Sequence, residues 1–571
     1  MTDYAITTSG PTVRRLAGFE IRTSPELLVV AAATYFTILC NFRFWSLLLE
    51  GEAGGGAAAI SLFLSTFFLL TGVHVVLLAP FSSRRVIKPF LLLLFGANAF
   101  TLYFMDQFGV YVDTSMIRNV FQTDAAETAE LLSWQMVPYV FVYALVPAFF
   151  VLRTRLSGVG LATAAKRKAL LLALGVAAVS LAGVVSFKDY SSFFRNHKPA
   201  RYLVTPANYM VSVARVGFSS GRELRKERVA VGRDARLGAA WAESNRPVLF
   251  VLVVGETARA SSFSLNGYSR DTNPRLGSVP GLVNFGDVSA CGTSTADSLP
   301  CMFSSFARSD PDHKRAREYE SLLDVVRRSG LDVTWLDNNS GCKGVCDGVE
   351  TESLEKSSSI DLCASGECFD EILLAGLDGK LADPGKGRLL VLHQKGSHGP
   401  AYHRRYPAVF ERFTPTCNSD DFDDCTQEEI RNAYDNSILY TDDFLGEVIE
   451  RLDAASGRFD TAMLYVSDHG ESLGENGLYL HGLPYAIAPE TQTRVPMVLW
   501  MSPQFEERFS INTTGIERAA GSDRFSHDNL FHSVLGALDV ETSVYDSRLD
   551  IFATGRLAST GRGPSGIGPG S

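Results

Sequence analysis

Cysteine is almost missing from the first half of this 571-residue chain: Cys40 stands alone before residue 291, and no C-x-x-C pair occurs anywhere. That lack argues against a zinc ribbon. Positive charge is short as well, with 53 Lys and Arg against 63 Asp and Glu and a net charge of -10. A uniformly basic nucleic-acid binder is excluded, because nothing is left over to neutralise phosphates along a duplex. The first apolar run has no small-residue cleavage site, and further runs follow it, so a cleavable signal peptide is not expected. No internal repeat is visible. Apolar side chains, by contrast, are plentiful: 46% of residues, including 37 Phe, which excludes disorder throughout. The length allows about two to four units.

The apolar residues crowd into the first third, as charge-free runs at 27–42 (extended past Arg43 to 49), 53–83, 89–105, 131–152 and 169–187. Each is close to the ~20 residues that cross a bilayer. As buried core helices, these runs would leave the first 190 residues no polar surface. Lys and Arg set the orientation. Arg14, Arg15 and Arg22, then Arg84, Arg85 and Lys88, then Arg153, Arg155, Lys166, Arg167 and Lys168 fall on one side if all the runs span. The intervening loop holds Asp106, Asp113, Asp124, Glu127 and Glu130 against Arg118 alone. The N-terminus is therefore expected in the cytoplasm and everything after residue 187 outside. His74, inside the second span with no acid partner there, reads as packed and neutral rather than as a proton relay. Eight cysteines lie in the exported part and pair by proximity as Cys291/Cys301, Cys342/Cys346, Cys363/Cys368 and Cys417/Cys425, which suits an oxidising compartment. The expected location is a bacterial inner membrane, with the exported domain in the periplasm.

Residues 1–190 thus read as an all-α domain of five transmembrane helices, and 191–245 as a juxtamembrane connector. Within the connector, 209–218 is weakly amphipathic and 222–236 is charged enough for a solvated helix. From residue 246 to 556, short Val- and Leu-rich runs (248–254, 333–336, 389–393, 462–467, 495–501) alternate with helical stretches such as 319–329 and 427–452. That alternation predicts an α/β domain with a mainly parallel sheet. Residues 557–571, rich in Gly and Pro, read as a disordered tail.

Functional groups gather beyond the carboxyl ends of strands in such sheets. Gly255-Glu256-Thr257 follows the first run, and His393-Gln-Lys-Gly-Ser-His398-Gly-Pro ends and follows the third. Asp468-His469-Gly-Glu-Ser follows the fourth, with His481-Gly-Leu-Pro-Tyr485 shortly beyond. Carboxylates with one or two imidazoles suit Zn²⁺ first and Mn²⁺ second. Any one of these residues alone would read as a loop acid or a surface histidine; three strand ends together make a metal site. The nucleophile is expected in Cys291-Gly-Thr-Ser-Thr295-Ala-Asp-Ser-Leu-Pro-Cys301, where a metal would lower a hydroxyl pKa. Spacing does not choose among Thr293, Ser294 and Thr295, and the same loop also fits a plain helix cap.

These segments, together with Pro300-Cys-Met-Phe303, Gly341-Cys-Lys-Gly-Val-Cys-Asp347 and Ser467-Asp-His-Gly-Glu-Ser-Leu-Gly-Glu475, resemble the lipid A phosphoethanolamine transferases. That family includes the mobile colistin-resistance enzymes and belongs to the alkaline phosphatase superfamily. The resemblance implies an alkaline-phosphatase/sulfatase-like periplasmic domain with Thr295 as nucleophile, and Glu256, Thr295, Asp468 and His469 as ligands of a catalytic zinc. His393, His398 and His481 are implied at the headgroup end of the pocket, as candidate ligands of a second zinc. Ser340 and Lys343 match substrate-contacting positions. Asn119, Thr123 and Glu127 match ethanolamine-headgroup contacts, and their i, i+4, i+8 spacing would put them on one face of a helix. The implied reaction is a double displacement: Thr295 takes phosphoethanolamine from phosphatidylethanolamine, releasing diacylglycerol, and a lipid A phosphate then takes it. Implied partners are these two lipids and the surrounding membrane lipids, with no nucleic acid, and the chain is expected to be a monomer. Residues 420–424 and the extension after about 556 match no motif of the family. The alternatives are transfer to another envelope glycan or lipid, or a membrane-anchored sulfatase or phosphohydrolase. A sulfatase nucleophile would carry C-x-P-x-R, which Cys291-Gly-Thr-Ser-Thr does not. A non-catalytic sensor or scaffold would have no need of the hydroxyl loop and the acid and histidine clusters together.

Overall fold

In a computed structural model the described residues are 20–50, 57–123, 125–223, 228–310, 313–354, 362–364, 367–382, 385, 387–522 and 525–556. Arg14, Arg15 and the expected tail at 557–571 lie outside them. The chain forms two compact units: Met1–Tyr103 with Gln135–Asn208, and Phe104–Trp134 with Tyr209–Ser571.

The first unit is helical. Ala59–Phe81, Ile87–Phe108, Met136–Arg153 and Leu161–Val185 are long and apolar enough to cross a membrane, and Pro25–Leu39 with Phe42–Leu49 makes a fifth span if that pair, bent by 54°, counts as one. Leu161–Val185 keeps only Leu171, Gly175 and Ala182 buried, so its apolar faces need an apolar solvent. It meets Ala59–Phe81 at Gly72, where a Cβ would lie 2.9 Å from the Gly175 carbonyl. Small residues allow that approach of two backbones. His74 is fully buried, its Nδ1 3.0 Å from Thr37 Oγ1, and is packed as expected. The last span starts earlier than its apolar run: Lys166, Arg167 and Lys168 lie inside the helix rather than in a preceding loop, since Lys and Arg are good helix formers. The basic segments gather at one end of this unit. Ile21–Thr23 pairs with Thr154–Leu156, Lys88 Nζ donates to the Thr154 carbonyl (2.6 Å), and Lys168 Nζ donates to the Pro80 carbonyl (2.9 Å).

The second unit is a sheet sandwiched by helices. Its strands, in chain order, are β1 (Val248–Gly255), β2 (Val283–Ser289), β3 (Asp332–Asp337), β4 (Glu350–Ser353), β5 (Gly387–His393), β6 (Asp460–Ser467) and β7 (Arg494–Met501). The seven lie side by side as β2-β7-β6-β1-β5-β3-β4. Every pairing is parallel except the two made by β7. All five apolar runs are strands, and β1, β5 and β6 are buried along their whole length, as continuous apolar runs in a parallel sheet should be. The long helix Gln427–Ala455 packs on β6 and opens with a capping box from Thr426 and Glu429.

Two expectations change here. Residues 228–236 are not a solvated helix: Val229 bridges to Tyr319, and Val231 is buried in the core. Phe104–Trp134, placed by its sequence inside a 1–190 membrane domain, clusters instead with the sheet-bearing unit. Buried charge holds it there, since Arg405 donates to both carboxylate oxygens of Glu130 at 2.6 Å.

Candidate active site

The carboxyl ends of β1 and β6 lie side by side, in register through Ser467 opposite Gly255. Glu256 and Asp468 are therefore the first residues off adjacent parallel strands. Three features fix the turn after β1. Thr257 takes a left-handed φ of 54°, which re-aims the chain at the strand end. Its N–H donates to Asp468 Oδ1 at 3.3 Å. Gly396 (φ 57°) presses on the same turn: a Cβ there would lie 2.6 Å from the Glu256 carbonyl, so only glycine fits.

Glu256, Asp468 and His469 are buried, and one ligand-type atom from each lies within 4.8 Å of the others. His469 Nδ1 is 3.0 Å from the Gly470 carbonyl, to which its N–H donates. Nε2 is left facing the cluster, 3.2 Å from Glu256 Oε1 and 3.5 Å from Asp468 Oδ2. That is the tautomer a metal-binding histidine needs. Burial alone would lower the His469 imidazole, but Asp468 and Glu256 outweigh it and lift it to about 10. Burial and the neighbouring Glu256 charge push the Asp468 carboxyl up to about 6, while Glu256, despite its burial, is held low by His469. Glu256 Oε1 and Asp468 Oδ2 are buried without a hydrogen bond. Two buried carboxylates converging on one imidazole call for positive charge, and a divalent cation taking the place of the imidazole proton would supply it, so the donor set fits such an ion.

The hydroxyl loop delivers three side chains to three different places. Thr293 Oγ1 donates to the Leu483 carbonyl at 2.6 Å, and Ser294 is buried as the extended residue before a helix. Thr295 is the first residue of that helix, Thr295–Met302, and its Oγ1 donates to Glu256 Oε2 at 2.9 Å, with His469 Nε2 3.4 Å away. The structure closes Cys291–Cys301 across this loop, and also Cys342–Cys346, Cys363–Cys368 and Cys417–Cys425, while Cys40 is buried and unpaired.

The remaining histidines divide. His481 and His398 have ring centroids 5.5 Å apart, and the His481 ring is 4.4 Å from that of His469. His393 is fully buried at the end of β5, 3.1 Å from Asp337 on β3, whose charge outweighs burial and raises its imidazole. A further group of close ligand-type atoms among the described residues is His469, Glu471 and His481; His393 and His398 are not in it. Lys343, in a left-handed turn (φ 50°) between Cys342 and Cys346, donates to Ser340 Oγ at 2.7 Å, so these two meet. Asn119 and Thr123 do not continue on one helical face with Glu127. The helix Thr114–Gln122 stops at Thr123, whose backbone is extended and whose hydroxyl donates back to the Asn119 carbonyl at 2.8 Å. Glu127 is in the next helix, Ala125–Glu130, and its side chain lies outside the described set. The Asn119 side chain sits near Gly482, its Nδ2 3.5 Å from where a Cβ there would be.

Two further residues hold the site together. Asn339, just beyond β3, donates to Glu256 Oε2 and to the Gln394 carbonyl, both at 2.9 Å. The strand-end rule points to it, because the run 333–336 is followed by Asp-Asn-Asn-Ser. Glu471 is fully buried, accepting from Tyr402 Oη at 2.7 Å and lying 2.8 Å from His481 Nδ1; its signal was the acid three residues after Asp468.

Comparison with known proteins bears on the family and the fold. The profile of the phosphoethanolamine transferase EptA/EptB family matches residues 70–219, and that of the sulfatase family matches 249–540. Phosphoethanolamine transferase EptA of Escherichia coli (strain K12) is 37% identical over 544 residues, covering 94% of this chain and 98% of its own. Phosphatidylethanolamine transferase Mcr-1 of Escherichia coli is 37% identical over 527 residues, covering 90% and 95%. Among solved structures, the integral membrane lipooligosaccharide phosphoethanolamine transferase A from Neisseria meningitidis superposes with a TM-score of 0.87 at 35% identity, covering 94% of this chain and 99% of that one. With similarity running through both the helical and the sheet-bearing unit, the chain belongs to the phosphoethanolamine transferase EptA/EptB family.

Proposed function

We propose that the chain moves phosphoethanolamine from phosphatidylethanolamine to a phosphate of lipid A, with Thr295 carrying the group between them. The observation that supports this reading best is the Thr295 hydroxyl, the one of three neighbouring hydroxyls that donates to a site carboxylate, Glu256 Oε2 at 2.9 Å. In the first half-reaction Thr295 Oγ bonds to the donor phosphorus, the phosphorus–oxygen bond to diacylglycerol breaks, and the diacylglycerol oxygen takes a proton. In the second, an acceptor phosphate oxygen bonds to the same phosphorus and Thr295 Oγ leaves and is reprotonated. The Thr295 proton is directed at Glu256 Oε2, which Asn339 holds in place through its second hydrogen bond to the Gln394 carbonyl. His481, which Glu471 holds at 2.8 Å and whose ring is 4.4 Å from that of His469, would protonate the departing diacylglycerol oxygen. The start of the helix Thr295–Met302 favours a phosphoryl anion through its backbone N–H groups.

Glu256, Thr295, Asp468 and His469 would hold Zn²⁺. When bound it would supply the charge that lowers the hydroxyl pKa and offsets charge on the phosphoryl oxygens. On this reading the helical unit anchors the chain in a bacterial inner membrane as a monomer, with the catalytic unit in the periplasm. Incubation with phosphatidylethanolamine should leave phosphoethanolamine on Thr295, detected by peptide mass spectrometry, and Thr295→Ala should abolish both this adduct and transfer to lipid A while the chain still folds. A modified Thr293 or Ser294 would refute the carrier assignment. A modified glycan with unchanged lipid A would refute the acceptor.

A further inference from the structure

A cleft of about 310 Å³ opens beside the carrier helix, lined by Arg118, Phe121 and Gln122 from the helix Thr114–Gln122, Val213 and Val216 from the helix Ala207–Glu223, and Arg317. We infer that this cleft binds the phosphate end of the acceptor, a phosphorylated and acylated sugar, for the second half-reaction; the inference rests on the transferase reading above.

Four observations carry it. The cleft collects two guanidinium groups from separate segments, in a chain with more acidic than basic side chains, and Arg118 is the cation of an otherwise acidic loop. Guanidinium forks match phosphate oxygens. The cleft adjoins the reacting residue: the Arg317 guanidinium donates to the carbonyl of Ala296, which follows Thr295, and Ser115 Oγ donates to Asp297 on the same helix. The wall is amphiphilic, with Phe121 66% exposed and Val213 42% exposed, while Gln122 Oε1 is a buried acceptor without a donor, suited to a sugar hydroxyl or amide. Finally, Asn119 of the same helix lies against Gly482, next to His481. Successive residues on a helix diverge by about 100°, so Arg118 and Asn119 divide the helix between the cleft and the histidine side of the site. That division suits a two-substrate enzyme.

The test separates the half-reactions in the full-length protein in detergent. Diacylglycerol release with loading of Thr295 reports the first, and transfer to lipid A, or to a deacylated glucosamine phosphate, reports the second. Arg118→Gln should cut transfer relative to loading by tenfold or more with both acceptors, mainly through the acceptor KM, and Arg118→Lys should restore most of it. Phe121→Ser, at an exposed side chain, should weaken transfer to the acylated acceptor only, which distinguishes a lipid from a free sugar phosphate. Melting temperatures of the variants show whether each is folded. An unchanged transfer-to-loading ratio in folded Arg118→Gln and Phe121→Ser would overturn the inference and leave the transferase reading standing. Failure of the wild type to load Thr295 would overturn that reading and the inference with it.

Discussion

His527 ties the loop before Thr295 to the end of β6 with one ring. Its Nδ1 accepts the Cys291 N–H at 3.0 Å, and its Nε2 lies 2.9 Å from the Ser467 carbonyl, to which the other N–H donates. Accepting at Nδ1 requires the neutral imidazole, and burial drives its pKa down from 6.5 to about 4 against the pull of the Ser467 carbonyl. The sign follows. Between those values the unfolded chain binds a proton that the folded chain refuses, so the stabilisation is complete above 6.5 and is lost as pH falls toward 4. His527→Gln should flatten the fall in stability with acid by up to one proton's slope, ~1.4 kcal/mol per pH unit. Urea unfolding of wild type and variant across this window measures it, and parallel curves would show that the ring is not held neutral. Sequence gave no hint of this residue, because its partners are 236 and 60 positions away and no motif surrounds it. The same limit applied to Thr293, Ser294 and Thr295. They are chemically alike and consecutive, and what separates them is the direction each takes at the start of a helix, where Thr293 turns to Leu483 and Thr295 to Glu256.

Among the elements, those legible in sequence are the ones whose burial is one-sided or total. The apolar runs that became β1, β3, β5, β6 and β7 declare themselves by composition alone. β4, Glu-Thr-Glu-Ser, is exposed along its length at the sheet edge, and β2 carries Asn284, Gly286 and Asp287 on the other edge, so neither has an apolar run to read. The spacing of Asn119, Thr123 and Glu127 suits one helical face, but the stop at Thr123 is not legible, since a side chain bonding back to its own helix leaves no periodic mark. The docking of Phe104–Trp134 was invisible for a related reason: acids in a loop look solvated until a partner is known. Arg405 is that partner. It donates to Glu130, to Glu367 Oε2 at 2.8 Å and to the His398 carbonyl at 2.8 Å, so one buried guanidinium joins this segment to the histidine loop. Arg405→Ala leaves buried Glu130 with Arg404 alone, at 3.5 Å, while Glu367 keeps Lys395 at 2.8 Å, and should cost about 3 kcal/mol. Glu130→Gln should cost less, because Glu367 still pairs with the arginine. Thermal unfolding of the full chain, with limited proteolysis of residues 104–134, checks both; a change under about 1 kcal/mol for Arg405→Ala would mean that the segment is held by other contacts.

For the molecule as a whole, the sequence separated the apolar first third from the cysteine-bearing remainder, and the same division underlies the proposed chemistry at a membrane surface. A lipid phosphate monoester carries negative charge that attracts cationic peptides. Esterifying it with phosphoethanolamine removes one ionisation and adds an ammonium, so the local negative charge falls. Attraction of a polycation to that surface depends on charge density and is screened over ~8 Å at physiological ionic strength. Expression in a polymyxin-sensitive host should therefore raise the inhibitory concentration of polymyxin several-fold, with lipid A gaining phosphoethanolamine in its mass spectrum. Thr295→Ala should cancel both by removing the carrier. Glu256→Ala, Asp468→Ala and His469→Ala should cancel both by losing bound metal, measured as metal per chain in the purified protein. The gain should also shrink as salt is added to the medium, since what changes is a screened charge. Resistance that rises equally with Thr295→Ala would detach it from transfer, and lipid A modified without any change in resistance would break the step from surface charge to protection.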